Sequence, residues 1–438
     1  MSPATVGRYC RDVTHRTAAP AEYRFETLDP TVASPARDAW VRAVALGFLE
    51  ADLTDEQVAK QGEWLARDAG RLRAAYHAER QSGLGEPDQP VATFRSWNGT
   101  VNTGGGHLEP ANFITDVTVR QTERRRGLLR RLMVDDLREA RDRGLSLASL
   151  TVTEATIYSR FGFGISSLVQ LVELDISHGF SLVQEPVGRV VQLDPSSDRA
   201  SQLWTRVFDQ FQRQTFGSHD ESSHHLDTVL GRFDWDSGKP DTRLRAVCHL
   251  DEEGNPDGVM SYTIKRDEGL TIVDMVVLND AAELAFWAFI GHHDLLKKAT
   301  WRRFNPDSAL RWAITDPRRL KVTDVRDGMW TRVLDVPAAV RARRFERDDE
   351  LTIAVHDPSG IAEGTFWLRS RGGIGECEPT DAAPDLEMGI ETFSSLYLGG
   401  VPARVLFQAR RITGSAPAAG RLDDLFRVPI PPRSVRYF

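Results

Sequence analysis

Hydrophobic and polar positions fall into short periodic blocks separated by Gly, Pro, Asn and Asp clusters. Tyr23-Arg24-Phe25-Glu26-Thr27-Leu28 alternates with period two, which predicts a strand. Ser34-Pro35 sets a capping hydroxyl before a proline at the first helical position. Trp40, Val44 and Phe48 then recur at i, i+4 on one apolar helical face. Thr54-Asp55-Glu56-Gln57 is a capping box opening a second helix, with Val58, Gln61 and Leu65 on one side. Two strand-like runs follow, Leu72 to Tyr76 and Val91 to Trp97, across a turn containing Gly and Pro. Phe113 to Val119 predicts another strand, with Val117 and Val119 on one face. Leu128, Leu129, Leu132, Met133, Leu137 and Ala140 form the apolar stripe of an amphipathic helix, and Gly144 marks its stop. Leu145 to Val152 reads as a strand and Glu154 to Arg160 as a short helix. The predicted order is β-α-α-β-β-β-α-β-α and then more strand, an α/β domain ending near residue 178.

The next unit starts with a strand at Pro186 to Gln192 and a helical region over 200–232 around Trp204, Phe208 and Phe211. Val247–Leu250 and Val259–Ile264 form a hairpin across Asp251 to Gly258. Ile272–Leu278 is a strand and Ala281–Phe289 a helix. This order repeats that of the first unit, which predicts a degenerate duplication. Leu278-Asn279-Asp280-Ala281-Ala282 stands where the first unit has an Arg-rich Gly turn. A third unit begins with a short helix at Val336-Pro337-Ala338-Ala339-Val340 and continues in alternating strands. The expected division is a leader at 1–22 and domains at 23–178, 179–335 and 336–438.

Composition narrows the class. At about 150 residues per domain, the chain's 438 residues make three domains. With 41% hydrophobic and 27% charged residues it is a soluble globular type, not a disordered or fibrous one. No run approaches the roughly 20 apolar residues of a membrane span, and Met1 to Pro20 lacks the apolar core of a signal peptide. Cys10, Cys248 and Cys377 lie far apart, which argues against a disulfide framework or a cysteine metal site and for a reducing cytoplasm. The pairs His224-His225 and His292-His293 are adjacent and share no helical face, so no metal is expected. A formal net charge of −8 argues against a nucleic-acid surface and suits a cationic substrate.

Two motifs carry candidate chemistry. Arg124-Arg125-Arg126-Gly127-Leu128-Leu129-Arg130 lies between a strand and the amphipathic helix. Free N–H groups at a helix start, a glycine permitting close approach and arginine donors together fit a pyrophosphate. The alternative is a solvated basic helix start. The second motif is Ile157-Tyr158-Ser159-Arg160-Phe161-Gly162-Phe163-Gly164. Tyr158 is either a hydroxyl acid, protonated at neutral pH, or part of an aromatic core cluster between glycine turns.

Together the two motifs resemble the GNAT acyl-CoA N-acetyltransferases, and most closely the Eis (enhanced intracellular survival) branch. Asp327-Gly328-Met329-Trp330-Thr331-Arg332, Val336-Pro337-Ala338-Ala339, Cys377 to Ala383, Ser395 to Gly400 and the final Phe438 fit the same branch. The resemblance implies an α/β (α+β) chain of tandem GNAT folds, the second degenerate, plus a sterol-carrier-protein-like α/β C-terminal domain, assembled as a homohexamer. It implies that Val117, Thr118 and Val119 hold the pantetheine arm of acetyl-CoA. Arg125, Arg126, Gly127, Leu128, Leu129 and Arg130 match the phosphate turn, with Leu129 a departure from the usual Gly or Ala. Thr153 and Glu154 match a further cofactor-contacting pair, Tyr158 the general acid, and Phe438 a general base acting through its α-carboxylate. Glu50 and Asp327 fall where relatives place acids of the amine cleft. Tyr437 and Thr151 replace an acid and a frequent His there, which makes the amine pocket less acidic or differently shaped. The implied activity is acetyl-CoA-dependent, metal-free acetylation of an aminoglycoside-type or other cationic amine, with peptide lysines or a natural-product amine as alternatives. A non-catalytic ligand-binding scaffold is the rival of another class. No membrane or nucleic-acid partner is implied.

Overall fold

A computed structural model describes residues 22–79, 88–235, 237–266 and 268–438. Residues 1–21 with Cys10, and the Gly/Pro turn over 80–87, lie outside the described residues. The chain divides into two compact units, Met1–Arg95 with Asp116–Asp135, and Ser96–Thr115 with Asp136–Phe438.

The first unit contains β1 (Tyr23–Leu28), α1 (Pro35–Gly47), α2 (Asp55–Asp68) and β2 (Arg71–His77). It also holds one end each of β3 (Ala92–Asn102), β4 (Leu108–Val119) and α3 (Leu128–Asp142). Local chemistry sets the helix starts as the sequence predicts. Ser34 Oγ accepts from Arg37 N–H at 3.2 Å, and Thr54 and Gln57 close the capping box at 3.2 and 2.9 Å. β1 and β2 pair antiparallel. Trp40, Val41, Val58, Leu65, Leu72 and Tyr76 form the core between these helices and strands.

The second unit opens with β5 (Leu147–Leu150), α4 (Ala155–Tyr158), β6 (Gly164–Ile165) and β7 (Leu168–Asp175). Next come β8 (Arg189–Leu193), α5 (Asp198–Gln214), α6 (His224–Val229), β9 (Arg245–Leu250), β10 (Pro256–Lys265) and β11 (Gly269–Val277). They are followed by α7 (Asp280–Gly291), β12 (Lys298–Phe304), α8 (Leu310–Ala313), β13 (Leu320–Asp327) and β14 (Trp330–Val333). The last stretch is α9 (Val336–Ala342), β15 (Asp349–His356), β16 (Gly364–Arg371), β17 (Ile374–Pro379), β18 (Leu386–Gly389), α10 (Ile390–Tyr397), α11 (Ala403–Gln408), β19 (Ile412–Gly414) and α12 (Ala416–Phe426).

The duplication is visible in the pairing. β4 and β5 run parallel on either side of α3 in sequence, and β11 and β12 run parallel on either side of α7. Strands are exchanged across the expected domain borders. β7 joins the sheet β13-β7-β12-β11-β10-β9-β8, and β14 inserts between β5 and β6. The C-terminal sheet runs β17-β16-β15-β18-β19. Its core is continuous with Trp97, Phe113 and Leu147, which pack in one cluster with Leu351, Phe393 and Leu422.

The helical stretch expected over 200–232 is broken. α5 ends at Gln214, and Thr215 to Ser223 form an irregular segment before α6. Gly217 there adopts φ +74°, and an added Cβ would meet Pro432 at 2.4 Å. The close approach of the C-terminal tail therefore requires both the break and the glycine.

Candidate active site

In the first unit, β4 carries Asp116 at φ +53°, a left-handed residue inside a strand. Thr93 Oγ1 donates to the Asp116 carbonyl at 2.8 Å and lies 2.7 Å from Thr118 Oγ1. Arg95 pairs with both Asp68 and Asp116. Burial pushes the Asp116 carboxyl up, against the pull of Arg95. The parallel pairing of β4 with β5 runs from Ala111 to Ile114. Asp116 lies two residues beyond that pairing; after it Thr118 is buried, and Val117 and Val119 are half-buried.

The turn after β4 has the chemistry of an anion cradle. Gly127 adopts φ +82° and Arg125 φ +65°. Arg131 N–H donates to the Gly127 carbonyl at 3.0 Å, so the helix begins at a residue with no side chain to cap it. Arg124, Arg125 and Arg130 are exposed and pair with no carboxylate among the described residues. Arg126 differs, because its guanidinium lies 3.5 Å from Glu22 and from Glu123. Leu128 is buried and Leu129 half-buried, so they anchor the turn by packing. Open N–H groups and unpaired guanidinium groups fit the phosphates of a CoA thioester. Glu50 lies in the same unit, exposed just beyond α1.

In the second unit, Thr153 and Glu154 are exposed where the chain leaves β5, and Glu154 precedes α4. The Tyr158 ring is buried edge-on to Phe163 at 6.4 Å. Its hydroxyl makes no hydrogen bond among the described residues. Burial, reinforced by the Glu154 carboxylate, pushes that hydroxyl up to about 12, so it holds its proton at neutral pH. The glycines after Tyr158 are there for close packing. A Cβ on Gly162 would meet Arg332 Nε at 2.5 Å, and one on Gly164 would meet the Glu391 carbonyl at 2.2 Å. Arg332 is buried against Asp357 and Val333.

Phe438 is buried with its ring stacked on Phe113 at 4.5 Å and edge-on to Trp97 at 4.9 Å. The Thr151 hydroxyl donates to the Phe438 backbone oxygen. Behind Phe113 stands His219, 5.7 Å between ring centres. His219 Nδ1 faces the Gly217 carbonyl at 2.9 Å, so it carries the proton, and Nε2 accepts from Ser149 Oγ at 3.1 Å. Burial pushes the His219 ring down to about 4, which keeps it neutral. Asp327 accepts from the Trp330 indole N–H. Cys248 and Cys377 are free, and burial pushes their thiols up to about 11 and about 12. Neither is a thiolate nucleophile at neutral pH. Sequence reasoning noted Thr151 only as a replaced His, and missed His219 and the left-handed Asp116.

Comparison with known proteins places this geometry. Two models described as acetyltransferase (GNAT) domains match residues 33–166 and 197–341, and a sterol carrier protein domain matches 336–433. A protein of Streptomyces griseus named as an uncharacterized N-acetyltransferase is 31% identical over 428 residues, covering 92% of this chain and 97% of its own. The N-acetyltransferase Eis of Mycobacterium tuberculosis is 27% identical over 360 residues, covering 80% and 86%. The chain belongs to the Eis family of GNAT N-acetyltransferases. It is an acetyltransferase, and the GNAT fold supports acetyl-CoA as its co-substrate. The crystal structure of Eis1 from Mycobacterium abscessus shares the fold, with a TM-score of 0.77 at 21% identity over 95% of this chain and 100% of that one. A GCN5-related N-acetyltransferase from Anabaena variabilis does so with a TM-score of 0.78 at 18% identity, over 95% and 100%.

Within this Eis-family chain, the central copy differs from the first at the matching helix start. Its α7 is capped by Asn279, whose Oδ1 accepts from Ala282 N–H at 2.9 Å. Asp280 and Glu283 fill the first turn with negative charge. A self-capped acidic helix start repels phosphate, so this copy offers no anion cradle at that position. Among the described residues no helix is long and apolar enough to cross a membrane, and no group of His, Cys, Asp or Glu could hold a metal.

Proposed function

We propose that the chain transfers acetyl from acetyl-CoA to a primary amine by direct attack, with Tyr158 as general acid and the Phe438 α-carboxylate as general base. The burial of Phe438, with its terminal oxygen bound by Thr151, is the observation that carries this reading, because it ties down a terminus that would otherwise fray and so fixes the carboxylate in one place. Acetyl-CoA supplies an activated thioester carbonyl. One C–N bond forms and one C–S bond breaks; the Phe438 carboxylate takes the first ammonium proton, Tyr158 gives its proton to sulfur, and the second proton that nitrogen sheds on becoming an amide returns to the Tyr158 oxygen. An α-carboxyl with a pKa of about 3.5 is ionised at neutral pH and able to accept that proton. Tyr158 at about 12 is a poor acid toward an ordinary thiol at about 8.5, so it acts first by hydrogen bonding to the charge growing on sulfur. Arg125 and Arg130 with the Gly127 turn would bind the phosphates, Val117 to Val119 the pantetheine arm, and Thr153 and Glu154 a further part of the cofactor. Arg126 serves through its backbone, since its side chain faces Glu22 and Glu123.

Glu50 and Asp327 are the acids proposed to draw the amine in. The substrate class is a cationic small molecule of aminoglycoside type, and a hexamer in the cytoplasm is the proposed setting. Thiol release from acetyl-CoA with aminoglycosides, polyamines and lysine peptides tests the class. Fast release with the small polycations supports it. Release with lysine peptides alone would replace it by a protein acetyltransferase.

A further inference from the structure

The tail that ends at Phe438 has anchors that no step of the proposed reaction uses. Arg436 is the tightest of them, with its side chain 1% exposed. Its Nη1 donates to both Asp274 carboxylate oxygens at 2.9 and 3.1 Å, and its Nε donates to Glu221 Oε2 at 2.7 Å. The guanidinium also lies over the Phe208 ring at 4.1 Å. Asp274 is fixed in turn by Trp204 Nε1 at 2.8 Å. Burial pushes the Asp274 carboxyl up, but the Arg436 charge, His225 and Trp204 outweigh it and hold it below the usual carboxylate range. One residue earlier, Arg303 Nη1 donates to the Val435 carbonyl at 3.2 Å.

A buried ion pair is a costly way to hold a tail, and apolar packing of the same volume does it as well. What the pair adds is direction, because a guanidinium held in a fork by two carboxylates cannot slide. From Arg436 to Phe438 the chain advances two residues, at most about 7 Å when extended. The side-chain clamp therefore leaves the terminal carboxyl group little room to wander.

We propose that Arg436 is a positioning residue: clamped by Asp274 and Glu221 of the central copy, it sets where the Phe438 carboxyl group stands. The central copy, which has no phosphate cradle of its own, then serves the reaction by holding the base. This rests on the reading of Phe438 as general base.

The test is a double-mutant cycle in the full chain between Arg436→Met and a C-terminal extension after Phe438, read as kcat and KM for acetyl-CoA. Arg436→Met should lower kcat about tenfold or more and leave that KM within about twofold. Combined with the extension it should add no further loss, because both act on one carboxylate. Wild-type kcat in folded Arg436→Met, or losses that multiply in the double variant, would overturn the proposal. If Arg436→Met does not fold, Arg303→Met enters the same cycle, with a smaller kcat loss and the same non-additivity expected; multiplied losses overturn it there too. Wild-type turnover of the extended chain alone is a separate outcome. It removes Phe438 as base, and the positioning proposal falls with it.

Discussion

At the scale of single residues, buried groups held in one protonation state dominate the site. Tyr158 keeps its proton because its ring is buried beside Glu154. Tyr158→Phe preserves the packing on Phe163 and removes only the hydroxyl. Steady-state thiol release should show kcat reduced by about 10²-fold or more with KM for acetyl-CoA nearly unchanged; full activity would remove Tyr158 as acid. His219 is the opposite case, a base held neutral. Folded His219 takes a proton only near pH 4, whereas the unfolded ring does so near 6.5. As pH falls the unfolded state binds the proton first. The stability contributed by neutral His219 is thus complete above pH 6.5 and lost toward pH 4, at up to about 1.4 kcal/mol per pH unit. His225, pushed down to about 3 by burial and by the charge of Arg436, acts with the same sign. Calorimetry should show Tm falling from pH 7 to pH 5, with a shallower slope in His219→Gln. An unchanged slope in that variant would mean that His219 is not the proton acceptor. His219 and Ser149 are 70 positions apart. No local pattern encodes such a pair, which is why the sequence named Phe438 by likeness, noted Thr151 only as a replaced His, and was silent on His219.

At the scale of elements, local rules were legible wherever one side chain acts on its own turn. The Ser34 and Thr54 caps, the Leu128 to Ala140 stripe and the Gly144 stop all stand as periodicity and capping predict. Asp136 was illegible. It lies on the buried side of α3 and accepts from Ser96 Oγ at 2.6 Å and Asn112 Nδ2 at 2.7 Å, partners supplied by other strands. The contrast between α3 and α7 is the element-scale basis of the proposed cofactor site: Gly127 leaves one helix start open, and Asn279 with Asp280 closes the other. Gly127→Ala forces a Cβ into φ +82°, a cost of about 1–2 kcal/mol that the turn relieves by moving. KM for acetyl-CoA should rise about tenfold while kcat changes little. An unchanged KM would place the phosphates elsewhere. Gly164→Ala would drive a Cβ against the Glu391 carbonyl. It should cost about 1–3 kcal/mol of stability, seen as a lowered urea midpoint, and shift the loop that carries Tyr158.

Across the molecule, the tandem GNAT folds and the sterol-carrier-type C-terminal fold were legible, because each keeps its own strand and helix periodicity. The exchange of β7 and β14 between sheets was not. Both strands sit next to an expected border, and only pairing partners distant in sequence decide which sheet receives them. The C-terminal domain shares a core with Trp97 and Phe113, so the ring that Phe438 stacks on is packed from the same cluster as that domain's own strands. With one open cradle and one closed helix start, titration calorimetry should give one acetyl-CoA bound per chain; two would contradict the degeneracy of the central copy. The central claim is acetyl transfer to an amine that depends on the Phe438 carboxylate. The most direct measurement counts thiol released and acetyl groups gained by the amine, by mass spectrometry, for the chain ending at Phe438 and for one extended beyond it. The account predicts one acetyl group on nitrogen per thiol, and a large loss of both on extension. Thiol without acetylated amine, or equal rates from the two chains, would contradict it.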